Sequence, residues 1–152
     1  MNYNPILIVT GEPNSVFLEI FFKVQKKYKI INPVILISSN KLLSMQMQKL
    51  KFKKKIKLLN PSKLNEYNLD NKTINLINVD YNPDLAFEKI SNKSNIFIEN
   101  SFNLAFKIIK KYKIAKFING PISKKSFLNK KFLGITEYIS KKFKTNKTCM
   151  LI

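Results

Sequence analysis

The sequence lacks histidine, arginine and tryptophan, and it contains one cysteine and three glycines in 152 residues. Without histidine the chain cannot supply the commonest general base or metal ligand, and every triad that uses histidine is excluded. The single cysteine, Cys149, excludes an intrachain disulfide and favours a reducing compartment. Because it lies in the apolar run TCMLI, we expect a buried and chemically inert thiol.

Long apolar runs are missing as well. No stretch approaches the roughly 18 residues that a membrane-spanning helix needs. The first residues, MNYNPILIVTGEP, show neither the basic start nor the long apolar segment of a signal peptide. We therefore expect a cytoplasmic protein without a membrane partner.

Negative charge is scarce: 28 lysines face 9 acidic residues, for a formal net charge of +19. Such an excess raises nucleic acid as a partner. Lysine, however, lacks the planar fork with which arginine reads bases and clamps phosphates. The lysines are also scattered along most of the chain, which is typical of solvated helix faces. We expect no nucleic-acid partner, and a basic nucleic-acid-binding surface stays open as the weaker alternative.

What the chain has in quantity is apolar side chains, which make up 45% of its residues and include 12 Phe and 6 Tyr. That composition is typical of a folded domain. Short apolar runs alternate with longer helical patterns, which predicts an α/β fold with a largely parallel sheet in three α/β/α layers. We interpret residues 1–152 as a single α/β unit. The predicted strands are Pro5–Thr10, Pro33–Ser38, Ile56–Asn60, Thr73–Val79 and Lys116–Asn119.

Helical spacing of apolar residues predicts three helices between these strands. The first carries Phe17, Phe21, Val24 and Tyr28 and has Asn14 or Ser15 as its cap; the second has Asn40 as its cap and carries Leu42, Leu43, Met47 and Leu50; the third carries Ile98, Phe102, Ala105, Phe106 and Ile109.

Two loops follow predicted strands at the edge where ligands collect in open α/β sheets. In TGEPNS, Gly11 permits an unusual backbone angle and Glu12 can hydrogen-bond a polar ligand. In NGPISK, Gly120 and Pro121 form a sharp turn, and Lys124 can reach an anionic group as a mobile point charge. Neither loop has a phosphate-binding or dinucleotide-binding glycine pattern. A purely structural turn explains either loop equally well.

A third segment, GITEY, follows the second loop. Gly134 can end the preceding helical stretch, and Thr136 can cap the next helix with Glu137 in its first turn. Taken from these residues alone, the segment needs no function beyond capping.

In combination and in this order, the motifs resemble the N-terminal half of the 4-hydroxythreonine-4-phosphate dehydrogenase family of vitamin B6 biosynthesis. The residues that match the family's motifs are Gly11, Glu12, Pro13, Glu19, Gly120, Pro121, Lys124, Gly134, Thr136, Glu137, Tyr138, Met150 and Leu151.

The resemblance implies an NAD-dependent dehydrogenase that oxidises a phosphorylated hydroxy-amino acid, whose product then loses carbon dioxide. It implies a fold like that of isocitrate and isopropylmalate dehydrogenases, and a divalent metal held by three histidines across a homodimer. By this resemblance, Thr136, Lys124 and Glu12 are the candidate substrate-binding residues. The chain offers no metal ligand, and we assign it no catalytic or cofactor-binding residue.

Three departures from the family pattern shape the expectation. Ile135 stands where the family has a substrate-contacting histidine, and it can neither donate nor accept a hydrogen bond. Ser15 and Phe17 replace glycines of the first loop. Ile152 falls around the middle of a full-length family member, so we expect the chain to be inactive alone and to need a C-terminal half. The alternative is a degenerate paralogue that binds a phosphorylated small molecule without catalysis.

Overall fold

The computed structural model describes residues 4–128 and 132–144. These ranges contain five strands and four α-helices. They are β1 (Ile6–Val9), α1 (Phe17–Lys27), β2 (Val34–Ser38), α2 (Asn40–Lys49), β3 (Ile56–Leu58), β4 (Ile74–Asn78), α3 (Asn95–Tyr112), β5 (Lys116–Asn119) and α4 (Ile135–Phe143). Strands and helices alternate, except that β4 follows β3 without an α-helix between them. All five predicted strands are confirmed, with ends up to two residues shorter than predicted. Cys149, Met150 and Leu151 lie outside the described residues.

The strands form one sheet in the order β3-β4-β2-β1-β5, and every neighbouring pair is parallel. The order places β1 between β2 and β5, so the loops after β1 and β5 leave the sheet side by side. Both loops leave at the carboxyl edge, which positions the candidate site.

Helices cover both faces of the sheet, because the central strands are apolar on both sides. On one face, Leu18 and Phe22 of α1 and Leu43 of α2 pack against Ile8 and Leu36. On the other face, α3 and α4 pack against alternate residues of the same strands, which are Leu7, Val9, Ile35 and Ile37. The prediction of three α/β/α layers is therefore confirmed.

The apolar face predicted for α3 is confirmed, with Ile98, Phe102, Ala105 and Phe106 all buried. The face predicted for α1 extends too far, because Tyr28 lies beyond the end of the helix and is 58% exposed.

The predicted helix caps need correction. The residue that precedes α1 is Val16, and Ser15 Oγ accepts a hydrogen bond from Phe17 N at 3.3 Å. Asn14 does not cap this helix, because its Oδ1 accepts a hydrogen bond from Glu88 N instead. Helix α2 is capped by Ser39, whose Oγ accepts from Leu42 N. The apolar pattern predicted the helices but could not decide between adjacent polar residues at their starts.

Lysines occupy left-handed backbone positions at three helix ends: Lys51, Lys113 and Lys144 have φ of 52°, 52° and 53°. After α2, Phe52 N donates to Met47 O and Lys51 N donates to Gln48 O. This is the Schellman pattern, in which glycine is the usual left-handed residue. Few glycines are present, and lysine fills this role at each of these ends.

Candidate functional site

The loops after β1 and β5 touch through their backbones at the carboxyl edge of the sheet. Glu12 N donates to Pro121 O at 2.8 Å, and Gly120 N donates to Val9 O at 2.7 Å. These hydrogen bonds continue the parallel pairing of β1 with β5 beyond the strand ends. The two loops that the sequence singled out therefore form one structural unit.

Two of the glycines are required by this contact. Gly11 has φ +70°, and a Cβ there would overlap Pro121 O and lie 2.8 Å from the carbonyl carbon of Gly120. A Cβ on Gly120 would overlap Thr10 O and lie 2.6 Å from the carbonyl carbon of Thr10. Real Cβ atoms essentially never approach backbone this closely, so any side chain at either position would push the loops apart.

Glu12 is only 2% exposed, and both oxygens of its carboxylate have partners inside the protein. Its Oε2 accepts from Ser94 Oγ at 2.9 Å, and its Oε1 accepts from Asn14 N at 3.3 Å. A buried carboxylate needs such donors to replace the water it has lost. Glu12 thus ties the first loop to the turn before α3, and its predicted contact with a ligand stays a prediction.

The same turn, Asn92–Ser94, also holds the second loop. Ser126 Oγ donates to Asn92 Oδ1 at 2.7 Å, and Asn95 Nδ2 donates to Ser126 O at 3.1 Å. Sequence reasoning missed these residues. The available signal was the polar run SNKSN immediately before the apolar pattern of α3, which is typical of a helix start rich in hydrogen-bonding side chains.

Lys124 begins a single π-helical turn, Lys124–Leu128, and its side chain is exposed. The far end of the turn is anchored, because Leu128 is 2% exposed and packs in the core below α3. Lys124 is therefore an exposed cation on a turn whose other end is held by the burial of Leu128.

Thr136 is the second residue of α4, so it does not cap the helix; that position belongs to Gly134. The backbone of Gly134 is extended, with φ −163°, which any residue adopts. The predicted capping role of Thr136 is therefore wrong. The helix starts two residues earlier than a cap at Thr136 would require, which places Thr136 in the first turn, half-buried, with its carbonyl accepting from Ser140 Oγ at 2.7 Å.

Tyr138 connects α4 to the turn that carries Lys124. Its ring lies 5.5 Å from that of Phe127 and 5.6 Å from that of Phe102, both nearly perpendicular to it. Such edge-to-face pairs fix relative orientation as well as burying area. In the two described ranges, no hydrogen bond joins Thr136 to Lys124 or Glu12. The structure thus joins Glu12 to the loop of Lys124 by hydrogen bonds, and Thr136 to it only through aromatic packing.

Ile135, which the sequence resemblance aligned with a family histidine, is half-buried and packs against the same core as Tyr138. Its role in this chain is apolar packing.

The segment between β4 and α3 covers the first loop. Gln46 Nε2 donates to Pro13 O at 3.0 Å and to Ala86 O at 2.8 Å, so it links that loop to the covering segment. Burial raises the pKa of Tyr81 in this segment, a side-chain hydrogen bond with Asn14 opposes that effect, and the nearby carboxylates of Glu88 and Glu12 raise the pKa further. Tyr81 is accordingly a neutral neighbour of the buried Glu12 at ordinary pH.

The three-histidine metal that the resemblance implies does not fit this chain, which has no histidine. Throughout residues 4–128 and 132–144, no three side chains of His, Cys, Asp or Glu come together as a metal site. Over the same ranges, no helix is long and apolar enough to cross a membrane.

The fold and this loop pair define an α/β protein of the class whose ligands collect at the carboxyl edge of a parallel sheet. The family model of the pyridoxal phosphate biosynthetic protein PdxA matches residues 29–152, and the chain belongs to this family. The matched range includes Lys124 and Thr136 and begins after the loop of Gly11 and Glu12.

Solved structures extend the likeness to nearly the whole chain. A 4-hydroxythreonine-4-phosphate dehydrogenase from Burkholderia phymatum is 20% identical with a TM-score of 0.81, over 95% of this chain and 45% of that one. The enzyme of the same name from Klebsiella pneumoniae is 16% identical with a TM-score of 0.79, over 94% of this chain and 45% of that one. No curated protein matches. The chain thus spans less than half the length of these structures, and at such identities the likeness shows the fold.

Proposed function

We propose that this chain forms one wall of the substrate site of a 4-hydroxythreonine-4-phosphate dehydrogenase. Lys124 pairs with an anionic group of a phosphorylated hydroxy-amino acid, and the hydroxyl of Thr136 hydrogen-bonds the same substrate. The observation that carries the proposal is the fixed loop pair at the carboxyl edge, which presents an exposed lysine on an anchored turn. Membership of the family supports the choice of substrate.

Other residues hold the loops of this wall in position. Glu12 holds the first loop against Ser94 from inside the protein, and Ser126 holds the second loop against the same turn. Because the hydrogen bonds are made before any ligand arrives, little ordering of the loops accompanies binding.

Oxidation of the substrate by NAD and loss of carbon dioxide require groups that these residues do not supply. A chain without histidine cannot build a three-histidine metal site. We propose that a partner carries these groups, either a C-terminal half of the family type or another protein chain in the cytoplasm. The isolated chain then binds substrate without turning it over.

Calorimetric titration with 4-phosphohydroxy-threonine tests the binding step. A hydrogen bond to a charged group contributes about 1.5–3 kcal/mol, so Lys124→Ala should weaken binding by about 10-fold to 100-fold. The matched control is Lys125→Ala, which removes the same charge from the adjacent lysine, whose side chain is also exposed. Equal affinities for Lys124→Ala and the unmodified chain would contradict the proposal.

Absorbance at the NADH maximum tests the requirement for a partner. We expect no NADH from the isolated chain with NAD, substrate and a divalent metal. Turnover by this chain alone would show that the 152 residues are sufficient.

A second candidate function is binding without catalysis, and Ile135 favours it. An isoleucine packed on the core replaces the family's polar contact, so the wall keeps its shape and loses one hydrogen-bonding group. Sequencing the coding DNA beyond codon 152 separates the two functions. A continuation that encodes histidines, or an adjacent reading frame that encodes such a half, supports the dehydrogenase. The absence of both supports the binding protein.

A further inference from the structure

A concave surface lies at the amino-terminal edge of the sheet, opposite the candidate substrate site. It is formed by one side of α1 and by the loop that joins α2 to β3, and its cavity has a volume of about 760 Å³. We call it the basic groove. Its lining consists of Glu19, Phe22, Lys23, Gln25, Lys26, Leu50, Lys51, Phe52, Lys53 and Lys54.

The groove is held together by contacts between its two sides. The rings of Phe22 and Phe52 stack with centroids 4.6 Å apart and planes 13° apart. Beside this stack, Lys54 Nζ donates to Gln25 Oε1 at 2.5 Å. The Schellman turn at Lys51 fixes the start of the loop. The groove is therefore formed without a ligand.

The charge in the groove is almost entirely positive, since five lysines and a single glutamate line it. The glutamate, Glu19, is paired with Lys23 at 2.6 Å. The other four lysines share the cavity with no further acidic side chain in its lining. A cleft lined by one sign of charge on a low-dielectric floor concentrates counter-ions. This separates the groove from lysines that are spread over convex helix faces.

Lys54 is the lysine of the groove whose charged form is disfavoured by its surroundings. Burial lowers its pKa, and the charge of Asp70 opposes that effect without cancelling it. An anion in the groove would stabilise the ammonium form that burial disfavours.

A second cavity of about 590 Å³ adjoins the first and shares Phe52, Lys53 and Lys54 with it. It adds Lys55 to the same stretch of chain. Pockets for small molecules occupy about 300–1,000 Å³, and the volume of the first cavity falls in this range.

We propose that the basic groove binds a small molecule that carries two or more linked phosphate groups. Lysine suits this ligand because it binds phosphate as a point charge and does not need planar geometry. Several lysines around one cavity match several phosphates, whereas a single phosphate can engage only some of them. The groove is separate from the wall that carries Lys124, so this binding does not depend on the proposed enzymatic function.

Calorimetric titration of the whole chain with inorganic tripolyphosphate tests the proposal, in about 0.15 M salt to screen long-range attraction. We expect saturable binding of one ligand per chain, at least about tenfold tighter than binding of orthophosphate. The variant Lys53→Gln with Lys54→Gln should weaken it at least about tenfold, because both lysines line both cavities.

The matched control is Lys107→Gln with Lys110→Gln, which removes the same net charge from α3 on the other face of the sheet. It should change affinity by less than about twofold. Equal weakening by both double variants, or binding that does not saturate, would show that the affinity for tripolyphosphate depends on net charge alone. Either result would overturn the proposal. If the groove variant is unfolded by circular dichroism, Lys53→Gln alone serves, and an unchanged affinity would then overturn the proposal.

Discussion

Replacing each glycine by alanine tests whether the backbone contact between the two loops requires glycine. The measured quantity is the loss in the free energy of unfolding. At Gly11, alanine in a left-handed conformation costs about 1–2 kcal/mol. The overlap of its Cβ with Pro121 O adds about 1–3 kcal/mol, as overpacking does elsewhere. We therefore expect Gly11→Ala to lower the free energy of unfolding by about 2–5 kcal/mol. Gly120→Ala should lower it by about 1–3 kcal/mol, because only the overlap applies.

Gly134→Ala is the matched control. Its backbone is extended, and a Cβ there would meet only Glu137 Oε2 at 3.1 Å, which is the end of a flexible side chain. The remaining cost is that of alanine before a helix, below about 1 kcal/mol. Urea unfolding followed by circular dichroism measures all three variants, since the chain has no tryptophan. If Gly11→Ala and Gly134→Ala lost equal stability, the account of the loop contact would be refuted.

Three further predictions concern stability. Lys113→Gly should raise the free energy of unfolding by about 1 kcal/mol by relieving a left-handed lysine, whereas Lys107→Gly inside α3 should lower it by about 1 kcal/mol; equal signs in urea unfolding would contradict this. Burial raises the pKa of Tyr138 to about 12, above its usual value near 10, so the folded state holds the proton longer and stability falls as pH rises from 10 towards 12. Tyr138→Phe should reduce that fall, measured by urea unfolding at pH 9 and 11, and parallel losses in both proteins would count against the assignment. Ser94→Ala should cost about 1–3 kcal/mol by removing a donor from Glu12, and a neutral result in the same assay would mean that water replaces the hydroxyl.

The fold followed from the sequence because buried parallel strands are continuous apolar runs. ILIV and VILIS are both of this kind, and each lies within a predicted strand. The starts of helices were less predictable. Ser39 and Asn40 are adjacent and both are good caps, and only the backbone at Ser39, with ψ of 129°, decides between them.

For the candidate site, the sequence located both loops but not the bonds between them. The pairing of Glu12 with Ser94 joins residues 82 positions apart, and no local pattern reports such a contact. From sequence alone, an acidic residue in a loop is equally consistent with a ligand contact and with a buried hydrogen-bond acceptor. The parallel neighbours of β1 decide which loops meet, and those neighbours come from the sheet order.

The left-handed lysines at helix ends give meaning to the presence of glycine at positions 11 and 120. Lys51, Lys113 and Lys144 show that the chain tolerates the strain of a side chain where glycine is customary. At Gly11 and Gly120, by contrast, a side chain would meet backbone atoms, and at Gly11 it would in addition have to adopt a left-handed conformation. In this glycine-poor chain, two of the three glycines thus mark one close backbone contact between segments far apart in the sequence, and such a pair supplies a distance restraint on how those segments meet.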